Sequence, residues 1–216
     1  MNTNKVLKFG GIAAGVLMVA FGIGSLALGL NARSTVGEEL SRELIVGSAD
    51  MNPIEIEKAV QAAGLTNVPI PSCDVADKKI ETGADARCFA QYMRIHALES
   101  SGGNTYAQMG RFVSAATPGD PKGTSDAAAA AKDDTGKPIA NGPRNTWVTE
   151  TALATALNVS YMAEQIGLFT IVVGIALLLS GIGFVILALA FFGGGGSTRT
   201  GADPSPGEAA APGTTG

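Results

Sequence analysis

With 216 residues, a formal net charge of −4 and a charged fraction of only 16%, the chain lacks the solvating surface of an ordinary soluble domain. A mean hydropathy of +0.25 points the same way, and mild acidity without a basic, aromatic-rich patch argues against a nucleic-acid partner. The apolar residues gather in two uninterrupted blocks, which predicts two transmembrane helices with a domain of about 135 residues between them on one side of a membrane.

Residues 1–8 form a short basic start carrying Lys5 and Lys8. From Phe9 to Leu30 no charge occurs; at ~1.5 Å per residue this block reaches ~33 Å, enough for a hydrocarbon core of ~30 Å. A cleaved signal peptide is the rival reading, with Ala27-Leu28-Gly29 as a loose small-x-small site, but an apolar core this long exceeds the usual ~7–15 residues. Gly11, Gly15, Gly22, Ser25 and Gly29 fall on one stripe of this helix, and Gly11–Gly15 is a GxxxG. Small residues let helix backbones approach closely in lipid. The alternative is that glycine is simply common in membrane helices.

Residues 31–165 form the predicted stalk and cap. Val36, Leu40 and Leu44 make a helical stripe within Asn31 to Val46. Asn52 is placed as the N-cap of a helix with Pro53 in its first position, Glu55 completing a capping pattern, Ile56, Val60 and Ala63 facing inward, and Gly64 as its stop. Val68-Pro69-Ile70-Pro71 must be extended. A further helix is expected from Asp85 to Ser100, with Cys88, Tyr92, Ile95 and Leu98 or Glu99 on one face and Gly102-Gly103 ending it. Residues 114–145 read as loop, with a short helix over Ala127 to Ala131 and a tight turn at Asp134-Thr135-Gly136-Lys137.

A long helix is expected from about residue 145 to 192, started by Pro143 and Asn145 and carrying Val148, Leu153, Leu157, Tyr161 and Met162 ahead of the membrane. Its span, Ile166 to Phe192, is also free of charge. Gly167, Gly174, Gly181 and Ala188 recur at a strict heptad, a period that favours left-handed pairing. Leu178 is placed off that seam. The two small-residue stripes predict that the spans pack on each other or on copies of themselves. Residues 193–216, rich in Pro, Ala, Thr and Gly, cannot bury a core and are expected to be a disordered cytoplasmic tail.

The fold class is therefore mainly α: a two-helix transmembrane hairpin, helical stalk extensions and a small α-helical extracytoplasmic cap. Lys5, Lys8 and Arg199 flank the spans on one side. On the other, Arg33 and Arg42 stand among Glu38, Glu39, Glu43 and Glu164. That bias favours both termini in the cytoplasm. The only cysteines, Cys73 and Cys88, lie in the middle segment. A pair in an oxidising compartment commonly forms a disulfide, and the alternative is two unrelated buried thiols.

Asn2-Thr3-Asn4-Lys5, the run Ile45-Val46-Gly47-Ser48-Ala49-Asp50-Met51-Asn52-Pro53, the segment from Ala86 to Glu99 and Trp147-Val148-Thr149-Glu150-Thr151-Ala152-Leu153 resemble a group of actinobacterial two-span membrane proteins. The resemblance covers nearly the whole chain except the tail. It implies a membrane architecture and a bacterial envelope location. Some members carry the label of small subunit of an aromatic ring-opening dioxygenase. Extradiol cleavage by non-haem iron uses two His and a carboxylate, whereas this chain has one His, His96.

No G-x-S-x-G, Walker A or calcium-loop pattern occurs. His96 is expected to bond to Tyr92 or Glu99, its helical neighbours. Neither span holds an ionisable residue, unlike most proton or ion pathways. The reading is a non-enzymatic membrane scaffold or accessory subunit of an envelope complex, with no catalytic residue, cofactor or metal assigned. Its expected partners are the lipid bilayer and other envelope proteins or copies of itself. Its rivals are a membrane-anchored small-molecule or lipid sensor and a dioxygenase component.

Overall fold

Residues 3–193 are described by the computed structural model. The order is α1 (Thr3–Arg42), α2 (Pro53–Ala62), α3 (Gly83–Ser100), a 3-10 turn (Tyr106–Gln108) and α4 (Gly142–Gly193). The protein is mainly helical, and α1 and α4 are each long and apolar enough to cross a membrane. The tail expected over 193–216 lies, apart from Gly193, outside the described residues. The described chain divides into two compact units, one of residues 3–19 with 179–193 and one of residues 20–178.

In the smaller unit the start of α1 lies against the end of α4. A Cβ added to Gly15 would stand 2.6 Å from the Gly181 carbonyl oxygen and 2.7 Å from Val185. One added to Gly181 would stand 2.6 Å from the Gly15 oxygen, and one on Gly11 would meet the Ala188 Cβ at 3.0 Å. Only glycine permits this approach, which brings the two backbones within van der Waals reach.

The larger unit repeats the arrangement with Gly22, Gly29, Gly167 and Gly174. A Cβ on Gly22 would lie 2.8 Å from Leu178 and 2.9 Å from the Gly174 oxygen, and one on Gly29 would lie 2.6 Å from the Gly167 oxygen and 2.7 Å from Ile171. Each glycine is thus a socket for a large residue of the other helix: Leu178 over Gly22, Ile171 over Gly29, Leu26 over Gly174. Leu178 is therefore a seam residue, contrary to the sequence expectation. The heptad has two inward rows, and a search for small residues finds only one of them.

The same unit holds the cap. The core gathers Leu40, Met51, Ile56, Val60, Ile80, Tyr92 and Ile95, with Leu157 of α4 among them. α2 begins as expected: the Asn52 side chain accepts from the Glu55 backbone N–H at 3.0 Å, and Pro53 opens the helix. The capping pattern is half formed, because the Glu55 carboxylate turns to Lys58 at 2.8 Å. α3 gains a cap that the sequence reading missed. The Thr82 hydroxyl accepts from the Asp85 N–H at 3.1 Å and donates to its carboxylate at 2.6 Å.

Three other expectations are corrected. α1 stops at Arg42 rather than running to Val46. Leu44 takes a left-handed φ of 52° and is 81% exposed, so it leaves the stripe of Val36 and Leu40, while Val46 bridges to Lys79. Ala127 to Ala131 form no helix. Ala130 is buried and bridges Ser114 instead, since the turns around it supply backbone partners that a one-turn helix lacks. On α4 the buried side chains ahead of the apolar stretch are Trp147, Glu150, Leu157 and Glu164, whereas Val148 and Met162 are exposed. The seam's seven-residue period continues through two glutamates, and a reading by hydrophobicity passes over both.

Candidate functional site

Cys73 and Cys88 form a disulfide with their Cα atoms 6.1 Å apart. It fastens the Pro-rich segment, which has no regular backbone ladder of its own, to α3. The Tyr92 hydroxyl strengthens the same junction by donating to the Cys73 carbonyl at 2.6 Å. Burial raises the Tyr92 pKa, with the Asp74 charge adding to the effect, so the neutral donor form is the one the site holds.

His96 pairs with neither Tyr92 nor Glu99. Its Nε2 lies 3.0 Å from Asp50 Oδ2, on the segment between α1 and α2. The atom is buried and not aligned for a hydrogen bond, so the contact is one of charge when the imidazole is protonated. Ser48 Oγ donates to the other Asp50 oxygen. This bond, opposed by burial and helped by the His96 charge, holds the Asp50 pKa low. Ser48, Asp50 and His96 are thus neighbours in the wrong order for nucleophilic catalysis, because the hydroxyl is bonded to the carboxylate and not to the imidazole that would have to take its proton. Among the described residues no group of three His, Cys, Asp or Glu is placed to hold a metal ion.

One groove, of about 470 Å3, lies between α3 and α4. Ala90, Gln91 and Arg94 line it from α3. Glu150, Thr151, Ala154, Thr155, Asn158, Val159 and Met162 line it from α4. Ala90 and Ala154 leave the space, and the helix spacings i, i+4 and i, i+4, i+8 align the walls. Arg94 is held by stacking over Trp147, 5.1 Å from the ring centroid, and the Trp147 indole donates to the buried Ser101 hydroxyl at 3.1 Å.

Glu150 is only 6% exposed, and its one hydrogen bond among the described residues is a long 3.4 Å contact from the adjacent Thr151 hydroxyl. Burial raises its pKa, against the opposing charge of Arg94. Farther along the same helix, Glu164 accepts from Arg33 at 3.4 Å. The sequence reading found the disulfide and the glycine rows but missed the groove. The acidic heptad position at Glu150 was its only trace in the sequence.

The apolar side chains of α1 and α4 are largely exposed. Phe9, Phe21, Leu28, Phe169, Val172 and Leu179 stand on the outer surfaces of their helices, while the glycines occupy the buried line. Compared with protein-family profiles, curated proteins and solved structures, the chain gives no match in any of the three.

Proposed function

We propose that this protein is a membrane-anchored, non-enzymatic scaffold or accessory subunit of a bacterial envelope complex. In this reading α1 and α4 cross the membrane, both termini are cytoplasmic, and residues 31–165 stand outside. The observation that carries the reading is the inversion of the two apolar helices: large apolar side chains face outward and glycines face inward. A helix apolar on all sides with so narrow a buried line needs a non-aqueous surround. The disulfide supports an oxidising compartment for the cap, and the resemblance to two-span actinobacterial proteins supports the envelope location.

The same outward apolar faces are open to lipid and to the spans of other envelope proteins or further copies alike. Purification of the full chain in mild detergent, followed by mass measurement of the intact particle and mass spectrometry of its components, is expected to return a defined assembly. A monodisperse single copy with no associated protein would contradict the scaffold reading.

A further inference from the structure

We propose that the groove between α3 and α4 binds a single-chain anionic amphiphile of the fatty-acid type, its carboxylate held at Arg94 and its chain laid along α4 toward the apolar part of that helix. Three observations carry this. The first is the pair of polar groups on the wall. Arg94 and Glu150 line one groove, yet among the described residues no ion pair within 4.0 Å joins them. A guanidinium held over Trp147 offers a fork of N–H donors suited to a carboxylate.

The second observation is Glu150 itself, a carboxyl more than nine-tenths buried, lining the groove and served only by a long bond from its neighbour. Among the described residues the buried side-chain atoms without a partner are His96 Nε2 and Arg144 Nε, so the Glu150 carboxyl keeps access to the groove that it lines and a headgroup can reach it. Burial raises the Glu150 pKa against the opposing charge of Arg94, a direction that lessens its repulsion of a second carboxylate.

The third observation is direction. Val159 and Met162 line the groove and are exposed at 52% and 56%. Ile166 and Phe169 continue the same helical face and are likewise exposed. Past Thr151, Thr155 and Asn158 of the groove wall, an apolar track therefore runs from Val159 to the part of α4 that the proposed function places in lipid. The inference rests on that reading only for the source of the ligand.

The test uses the purified full chain in mild detergent, with oleate as the probe and a fluorescent fatty acid as the displaced reporter. Saturable displacement by oleate is expected, weakened at least about tenfold by Arg94→Gln, which removes a charge-assisted contact. Thr155→Trp should weaken it comparably by filling the groove from an exposed position. Oleylamine, with the same chain and a cationic head, should compete poorly, and acetate, with the head alone, should not compete. Retention of the Cys73–Cys88 bond and of helical circular dichroism in both variants shows that the fold is intact. Oleate binding that both variants leave unchanged, equal competition by oleylamine, or no saturable binding would overturn the proposal. Extraction of the chain from membranes by alkaline carbonate would instead overturn the membrane reading, so the two failures are distinct.

Discussion

Leu44 shows how much one residue can hold against its own preference. It occupies the left-handed region with φ 52°, where a Cβ costs about 1 kcal/mol or more relative to glycine, and it recovers little by burial because its side chain stands in solvent. Leu44→Gly should therefore stabilise the cap by about 1 kcal/mol, read as a raised melting temperature. Glu150 supplies the opposite case, in which burial works against a charge. Its pKa is raised in the fold. Below the ordinary carboxylate value both folded and unfolded forms are protonated, and burial costs nothing in ionisation. As pH rises past that value the unfolded chain ionises first, so stability falls until the folded group also ionises. Glu150→Gln should accordingly be more stable than the parent near pH 7, with the difference closing toward pH 4. Parallel melting curves at the two pH values measure this.

At the scale of elements, the paired helices are specified by what is missing from them. Gly22 and Gly174 face each other's carbonyl oxygens, and a Cβ on either would stand 2.9 Å away. Gly22→Leu or Gly174→Leu must separate the backbones and should cost about 1–3 kcal/mol, as overpacking does. Gly183, with nothing within 4 Å of an added Cβ, should accept alanine with no loss. Thermal stability of the three variants in detergent separates these outcomes. Equal tolerance at all three sites would mean that the glycine rows are incidental. α3 depends on a different device. The Cys73–Cys88 bond closes a 15-residue separation, for which loop-closure entropy gives ~3 kcal/mol. Cys73→Ser and Cys88→Ser should each destabilise the cap by about 2–4 kcal/mol, and the double variant should be little worse than either, because all three break one bond.

Across the whole molecule the question is which side of the membrane each segment faces. The Lys/Arg bias and the disulfide argue from independent physics, one from insertion energetics and one from redox chemistry. Both support the proposed placement of the cap outside the cytoplasm. Reporter fusions active only outside the cytoplasm should therefore work when inserted in the exposed turn at Gly136 and fail when joined after Phe192. The reverse pattern would overturn the orientation and leave the disulfide without its expected compartment.

Much of this architecture is legible in the sequence because it depends on local or periodic properties. A charge-free run long enough for a bilayer, glycines at heptad spacing, a proline after an N-capping asparagine and a lone pair of cysteines each carry their consequence in one dimension. The features that only the tertiary structure decided depend on neighbours distant in the chain. Leu178 is a seam residue because Gly22 lies opposite it, and no property of leucine discloses that. His96 faces Asp50, on the segment between α1 and α2, instead of a neighbour on its own helix. Glu150 looks like a solvated charge at its place in the sequence. It becomes a largely buried acid in a groove wall only when α3 and α4 come together along the groove that Ala90 and Ala154 also line.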